Sequence, residues 1–340
     1  MQVKPRLSSE VYAQGILNGD RVVLGQAITL VESSLASDQQ LAASLLELIL
    51  PHTGKAIRIG ITGVPGVGKS TFIEAFGQHV LQQNKRLAVL TIDPSSQLTR
   101  GSILGDKTRM DILSKSPHAF IRPSAAGQTL GGVAHKTREA LLLCEAAGYD
   151  VILIETVGVG QSEVAVKNMV DFFLLLALAG AGDELQGIKK GILEMADAIV
   201  VTKADGDNVK RAIEAKTDYE RALHLSSLPE SGWRPAVMTA SAHMDSGIDT
   251  VWKTILTFYD QMTAAGTLHI TRSYQQVAWF KDHFQYLVST DIDRSGALRD
   301  LSKTLEQEVQ ASKLSAPAAA NKHMDAYRQE LRNTIRPSQE

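Results

Sequence analysis

A single cysteine, Cys144, stands among the 340 residues. A lone thiol makes no internal disulfide and cannot furnish a cysteine-rich zinc site, so a reducing compartment is implied. Long hydrophobic runs are also missing. The longest, residues 172–182, covers 11 positions and is broken by glycine, whereas a bilayer span takes about 20. The opening Met1-Gln2-Val3-Lys4-Pro5-Arg6 passes into Ser8-Ser9-Glu10 without an apolar stretch, so no secretory leader is expected. Charge of one sign is absent too: 35 basic side chains face 37 acidic ones, a net charge of −2. That balance offers no basic surface to hold a phosphate backbone. The expectation is a soluble, cytoplasmic chain with no membrane and no nucleic-acid partner.

What is present is core: 44% of the residues are hydrophobic. At about 150 residues per domain the length suggests one large domain with attachments, or two domains. Residues 1–50 read as a helical extension. Asp20 can cap a helix bearing Val23, Leu24, Ala27, Ile28 and Val31, and Asp38 is expected to open another, with Leu41, Leu45 and Ile49, closed by Pro51. From about residue 56 short apolar runs alternate with helical stretches. Residues 56–62, 87–92, 119–121, 151–154, 172–176, 198–202 and 236–239 read as strands, mostly apolar throughout, as strands covered on both faces must be. The pattern predicts an α/β fold, a doubly wound and mainly parallel sheet over residues 51–265, with its site beyond the carboxyl ends of the strands. Residues 266–340 lose the strand signal. Tyr274, Val277, Phe280, Phe284 and Leu287 share one helix face, Leu298, Leu301, Leu305 and Val309 another, and Pro317 is expected to break the chain before a last helix near 324–334. Such an arm suits a subunit interface.

Gly63-Val64-Pro65-Gly66-Val67-Gly68-Lys69-Ser70 matches G-x-x-x-x-G-K-[ST] between a strand and a helix beginning with Thr71. Glycines let backbone N–H groups turn inward around phosphates, and the helix offers the same anion its positive end. Lys69 would reach the β and γ phosphates, and the Ser70 hydroxyl would bind Mg²⁺. Thr202-Lys203-Ala204-Asp205 follows another strand. An aspartate there can accept from the N1–H and exocyclic amine of guanine, and the Lys203 stem can lie along the base. Ser241-Ala242 could supply a backbone N–H to the guanine carbonyl. Together these favour GTP over ATP.

The strand at 151–154 leads into Glu155-Thr156-Val157-Gly158, where enzymes of this kind carry the acid of the magnesium shell and a glycine N–H for the γ-phosphate. Asp93-Pro94-Ser95-Ser96 and the segment Gly105 to Met110, with Asp106, read as segments that order around metal and phosphate. Residues 180–191, rich in glycine and charge, form a further candidate loop.

These segments, together with Ile154-Glu155-Thr156-Val157-Gly158-Val159-Gly160-Gln161-Ser162-Glu163 and Gly182-Asp183-Glu184-Leu185-Gln186-Gly187-Ile188-Lys189, closely resemble the MeaB/ArgK family. Its members are the G-protein chaperones of adenosylcobalamin-dependent methylmalonyl-CoA mutase. The resemblance implies GTP hydrolysis to GDP with Mg²⁺, a homodimer built through C-terminal helices, and a mutase partner whose cofactor loading is gated and protected. It assigns Asp93 and Asp106 to a first switch, Glu155 to a second, and Asp183, Gln186 and Lys189 to a third. Older family names suggest a kinase of arginine transport, against which the Lys203–Asp205 element speaks. Two departures stand out. Residues 122–132 lack an arginine that relatives carry, near Gly127, and Arg100 replaces a usual glycine.

With Val159 following Gly158, no glutamine is placed to orient water, so intrinsic hydrolysis should be slow. Lys189, ordered on partner docking, is the candidate for a delivered charge. A metal-insertion GTPase would need thiol and imidazole ligands, for which Cys144 and nine scattered histidines are a poor supply. A nucleotide-gated scaffold with little turnover is the other alternative.

Overall fold

The computed structural model describes residues 6–92, 110–123, 130–156, 162–180, 190–224 and 232–335. They form two compact units, Met1–Gln276 and Val277–Glu340. In chain order the elements begin with helices α1 (Ser9–Leu17), α2 (Arg21–Val31) and α3 (Ala36–Ile49). Strand β1 (Ile57–Gly63), α4 (Lys69–Gln82), β2 (Leu87–Ile92), α5 (Asp111–Lys115), β3 (Ala119–Pro123) and α6 (Leu130–Ala146) follow. Next come β4 (Val151–Thr156), α7 (Ser162–Lys167), β5 (Phe172–Ala177), α8 (Lys190–Met195), β6 (Ala198–Val201), α9 (Val209–His224), β7 (Ala236–Thr239) and α10 (Ile248–Ala264). The chain finishes with α11 (Thr267–Arg294), α12 (Gly296–Gln310) and α13 (Ala316–Ile335).

Every expected strand is present, and among the described residues they form one sheet in the order β3-β2-β4-β1-β5-β6-β7, parallel throughout. The chain runs outward from β1 to β3, returns to β4 beside β1, then crosses to β5 on the other side. β1 is therefore the switch point where a crevice opens. Side chains alternate between faces. Ile59, Ile61, Val89, Leu153 and Leu174 are buried with Phe72, Ile73 and Phe76 of α4 and Val251, Trp252 and Phe258 of α10. Phe76 meets Trp252 edge to face, with ring centroids 5.9 Å apart. Farther along the sheet, Leu175, Ala177, Ile199 and Val201 pack on Ala212, Ala215 and Tyr219 of α9.

The first helices pack on α6. Asp20 caps α2 as expected, accepting from the N–H groups of Val22 and Val23. Asp38 does not cap α3. It lies inside that helix, almost wholly buried, and its carboxylate takes Nε and Nη2 of Arg6 at 3.1 and 2.7 Å. A buried carboxylate needs such a cation, and this one comes from far along the chain.

In the second unit, Ser295 caps α12 by accepting from Leu298 N–H and donates to Glu330 of α13 at 3.0 Å. Pro317 does not break the chain there. It is the second residue of α13, where its missing N–H has no intrahelical partner to lose. The expected apolar face of α11 exists, but Tyr274, Val277, Phe280, Phe284 and Leu287 are all exposed.

Candidate nucleotide site

Gly63 ends β1 with φ +154°, and a Cβ there would sit 2.5 Å from the carbonyl oxygen of Leu176 on β5. No other residue lets the chain leave the sheet at this point. The loop Val64, Pro65, Gly66, Val67 and Gly68 follows. Val67 is buried, while Pro65, Gly66 and Thr71 face solvent. Gly68, left-handed at φ +93°, caps α4, so the first N–H groups of that helix have no side-chain acceptor. Lys69 Nζ donates back to the carbonyls of Gly63 at 2.7 Å and Val64 at 3.3 Å. Burial draws its pKa downward, against the pull of Glu155 and Glu163. Ser70 Oγ donates to Glu155 Oε1 at 3.3 Å.

Glu155 lies within β4, which runs on to Thr156, rather than beyond the strand as expected. Its register opposite Ile61 of β1 carries it up to the loop. Glu163, the last residue of the motif that begins at Ile154, is buried on α7 and acts on Lys69, a role that its place in the sequence does not signal.

The base-reading loop is fastened to the phosphate loop. Thr202 lies just past β6, which is one residue shorter than expected, and its hydroxyl donates to Val67 O at 2.8 Å. Lys203 is left-handed at φ +55°, and its Nζ donates to Gly66 O at 2.9 Å. Asn208 Nδ2 donates to Lys203 O at 2.7 Å, and Ala204 N–H to Ala240 O at 3.1 Å. Ser241 departs from expectation. Its N–H is taken by Ser246 O at 2.9 Å, and its hydroxyl instead donates to the Asp205 carboxylate. Ala242, half-buried beside it, is the remaining candidate for the base carbonyl. Only the fold brings the Ser241 side chain to Asp205, so this role has no signature in the local sequence.

Asp93, Asp106, Gly158, Asp183, Gln186 and Lys189, with Arg100 and Gly127, lie outside the described residues. Arg122, at the edge of the altered segment, pairs with Glu32, the residue just past α2.

A parallel sheet with a phosphate loop at its switch point and a carboxylate-bearing base loop tied to it defines a P-loop nucleotide hydrolase of the GTPase kind. The description "Methylmalonyl Co-A mutase-associated GTPase MeaB" matches residues 24–295. The GTPase ArgK of Escherichia coli K12 is 50% identical over 263 residues, 77% of this chain and 80% of that one. The mitochondrial methylmalonic aciduria type A homolog of Mus musculus is 45% identical over 324 residues, 92% of this chain and 78% of that one. The crystal structure of a LAO/AO transport system kinase superposes with a TM-score of 0.74 at 36% identity, covering 96% of this chain and 100% of the other. The chain belongs to the MeaB family and is a P-loop GTPase, a binder of GTP and GDP. No helix among the described residues is long and apolar enough to cross a membrane.

Proposed function

We propose that the chain is a cytoplasmic G-protein chaperone that binds adenosylcobalamin-dependent methylmalonyl-CoA mutase and couples GTP hydrolysis to loading and protection of the mutase cofactor. The observation that carries this reading is the Asp205–Ser241 pair tied through Lys203 and Thr202 to the phosphate loop, in a chain whose family is described as mutase-associated. A carboxylate held in that way is set to accept both donors of a guanine edge, and adenine would leave its base-facing acceptor positions unmatched.

Backbone amides from Gly66 to Ser70 and the Lys69 ammonium hold the phosphates. The chain is nearly neutral, so the positive potential is local to this cradle. On binding, Lys69 exchanges the carbonyls of Gly63 and Val64 for phosphate oxygens. Mg²⁺ fits the donor set: Ser70 and Glu155 bring hard oxygens together, and a Mg²⁺ site of this kind takes its other ligands from phosphates and water. Asp93 and Asp106 complete the proposed set. When bound, the ion neutralises charge on the transferring phosphate. Glu155 and the two aspartates hold the attacking water, and Asp183, Gln186 and Lys189 form the partner-responsive segment, Lys189 supplying a charge on docking. The exposed Val277, Phe280, Phe284 and Leu287, spaced three and four residues apart along α11, support a homodimer through this helix.

The test is phosphate release from GTP with and without methylmalonyl-CoA mutase. Hydrolysis that is slow alone and rises about 10³-fold or more with the mutase supports the reading. Tight GTP binding with no phosphate released in either case would make the chain a nucleotide-gated scaffold.

A further inference from the structure

Strand β2 reads Leu87-Ala88-Val89-Leu90-Thr91-Ile92, so Thr91 is its one polar residue. Thr91 is 5% exposed, and its hydroxyl has no hydrogen-bond partner among the described residues. Buried hydroxyls are almost always paired, and one that is not carries a desolvation cost that valine, of the same shape, would avoid. Its place in the sheet supplies a reason. In the parallel pairing of β2 with β4, Thr91 stands opposite Glu155. Paired residues leave the sheet on the same face, from strands about 4.8 Å apart. That face is the one covered by α4: Val89 and Leu153, each two residues earlier, are buried with Phe72, Ile73 and Phe76. Ser70, in the first turn of α4, already donates to Glu155 Oε1. The Glu155 carboxylate thus has a hydroxyl bonded to it from the helix and an unpaired hydroxyl in the neighbouring strand.

We propose that Thr91 is a positioning residue of the nucleotide site, its hydroxyl donating to the Glu155 carboxylate when Mg²⁺ and nucleotide are bound and so holding that carboxylate for the cation. The inference rests on Glu155 belonging to the Mg²⁺ site. An unpaired buried hydroxyl costs stability, and holding the carboxylate for the cation is what it would return. A groove with no such purpose would be filled by valine, as the rest of the strand suggests.

The experiment compares wild type, Thr91→Val and Thr91→Ser by fluorescent GDP and GTP-analogue binding across a Mg²⁺ titration, and by melting without nucleotide. Thr91→Val should melt at or above the wild-type temperature, bind GDP in EDTA as wild type does, and need about tenfold more Mg²⁺ for the metal-dependent gain in affinity, as loss of an outer-shell partner does. Thr91→Ser keeps the hydroxyl and should keep the wild-type Mg²⁺ requirement even if loss of the methyl lowers its melting temperature. An unshifted Mg²⁺ requirement in Thr91→Val, or an equally shifted one in Thr91→Ser, overturns the role of the hydroxyl. Wild-type binding indifferent to Mg²⁺ overturns the metal site itself, a distinct failure seen before either variant is compared.

Discussion

Arg272 grips Asp171 with two parallel hydrogen bonds, Nε to Oδ1 at 2.7 Å and Nη2 to Oδ2 at 2.6 Å. The same guanidinium donates to the carbonyls of Gly54 and Ala56, and the Asp171 carboxylate also accepts from Arg58 N–H. Arg58 in turn pairs with the buried Glu145. The first turns of α11 are thereby fastened to the starts of β1 and β5, at the end of the sheet opposite the nucleotide. Replacing Arg272 with methionine strands a buried carboxylate, so unfolding stability should fall by about 3–5 kcal/mol. Urea denaturation measures it, and a loss below about 1 kcal/mol would mean that water replaces the clamp.

Glu139 of α6 sets a pH dependence. Burial pushes its carboxyl up to about 7 from an ordinary 4.5, against the pull of Lys136. Because the folded chain holds this proton more tightly than the unfolded one, the contribution is full below about pH 4.5 and is lost as pH rises through about 7. Glu139→Gln should therefore match wild type near pH 4.5 and exceed it at pH 8 by up to about 3 kcal/mol, at about 1.4 kcal/mol per pH unit. Melting curves at the two pH values decide, and equal differences at both would refute the assignment.

Asp205→Asn exchanges two acceptor oxygens for one acceptor and one donor. Guanine nucleotides should lose about 10²-fold or more in affinity. A xanthine base, with a carbonyl where guanine has its amine, should recover much of that loss. Competition binding with GDP and xanthosine diphosphate reads the switch, and unchanged GDP affinity would place the base elsewhere.

Lys69→Ala removes the cation from the phosphate cradle and should lower single-turnover GTP cleavage by about 10²–10³-fold. The Gly63 and Val64 carbonyls that it now occupies would turn to water, so the fold should survive. Circular dichroism and phosphate release, measured together, separate lost chemistry from lost structure.

Phe284→Asp places a charge on the exposed face of α11. If two copies meet there, the variant should be monomeric in sedimentation while its nucleotide affinity stays that of wild type. A dimer that persists would move the interface elsewhere.

The sheet was legible because its strands are covered on both faces: Leu87 to Ile92 and Phe172 to Ala177 are buried at every position, and their short length and regular alternation with helical stretches mark such runs as strands. The phosphate loop was legible because its glycines answer a backbone demand that Gly63 displays. What stayed hidden was long-range. Asp38 resembles a helix cap until Arg6 is brought to it, and Ser241 resembles a backbone donor until the end of β7 meets Asp205. Pro317 reads as a break unless one knows that the helix begins one residue earlier. Thr91, an unremarked threonine in an apolar run, acquires meaning only from its register with Glu155.

Cys144 has no exposed surface, and burial pushes its thiol pKa upward, so the reactive thiolate is scarcely formed. The unaltered chain is thus already a silent background for thiol chemistry. A cysteine introduced at an exposed position off the proposed interface face, such as Asp300 or Lys303, would be the one site to take a maleimide dye or a spin label. Distances between labelled copies could then be followed through a nucleotide cycle without first engineering away any native residue.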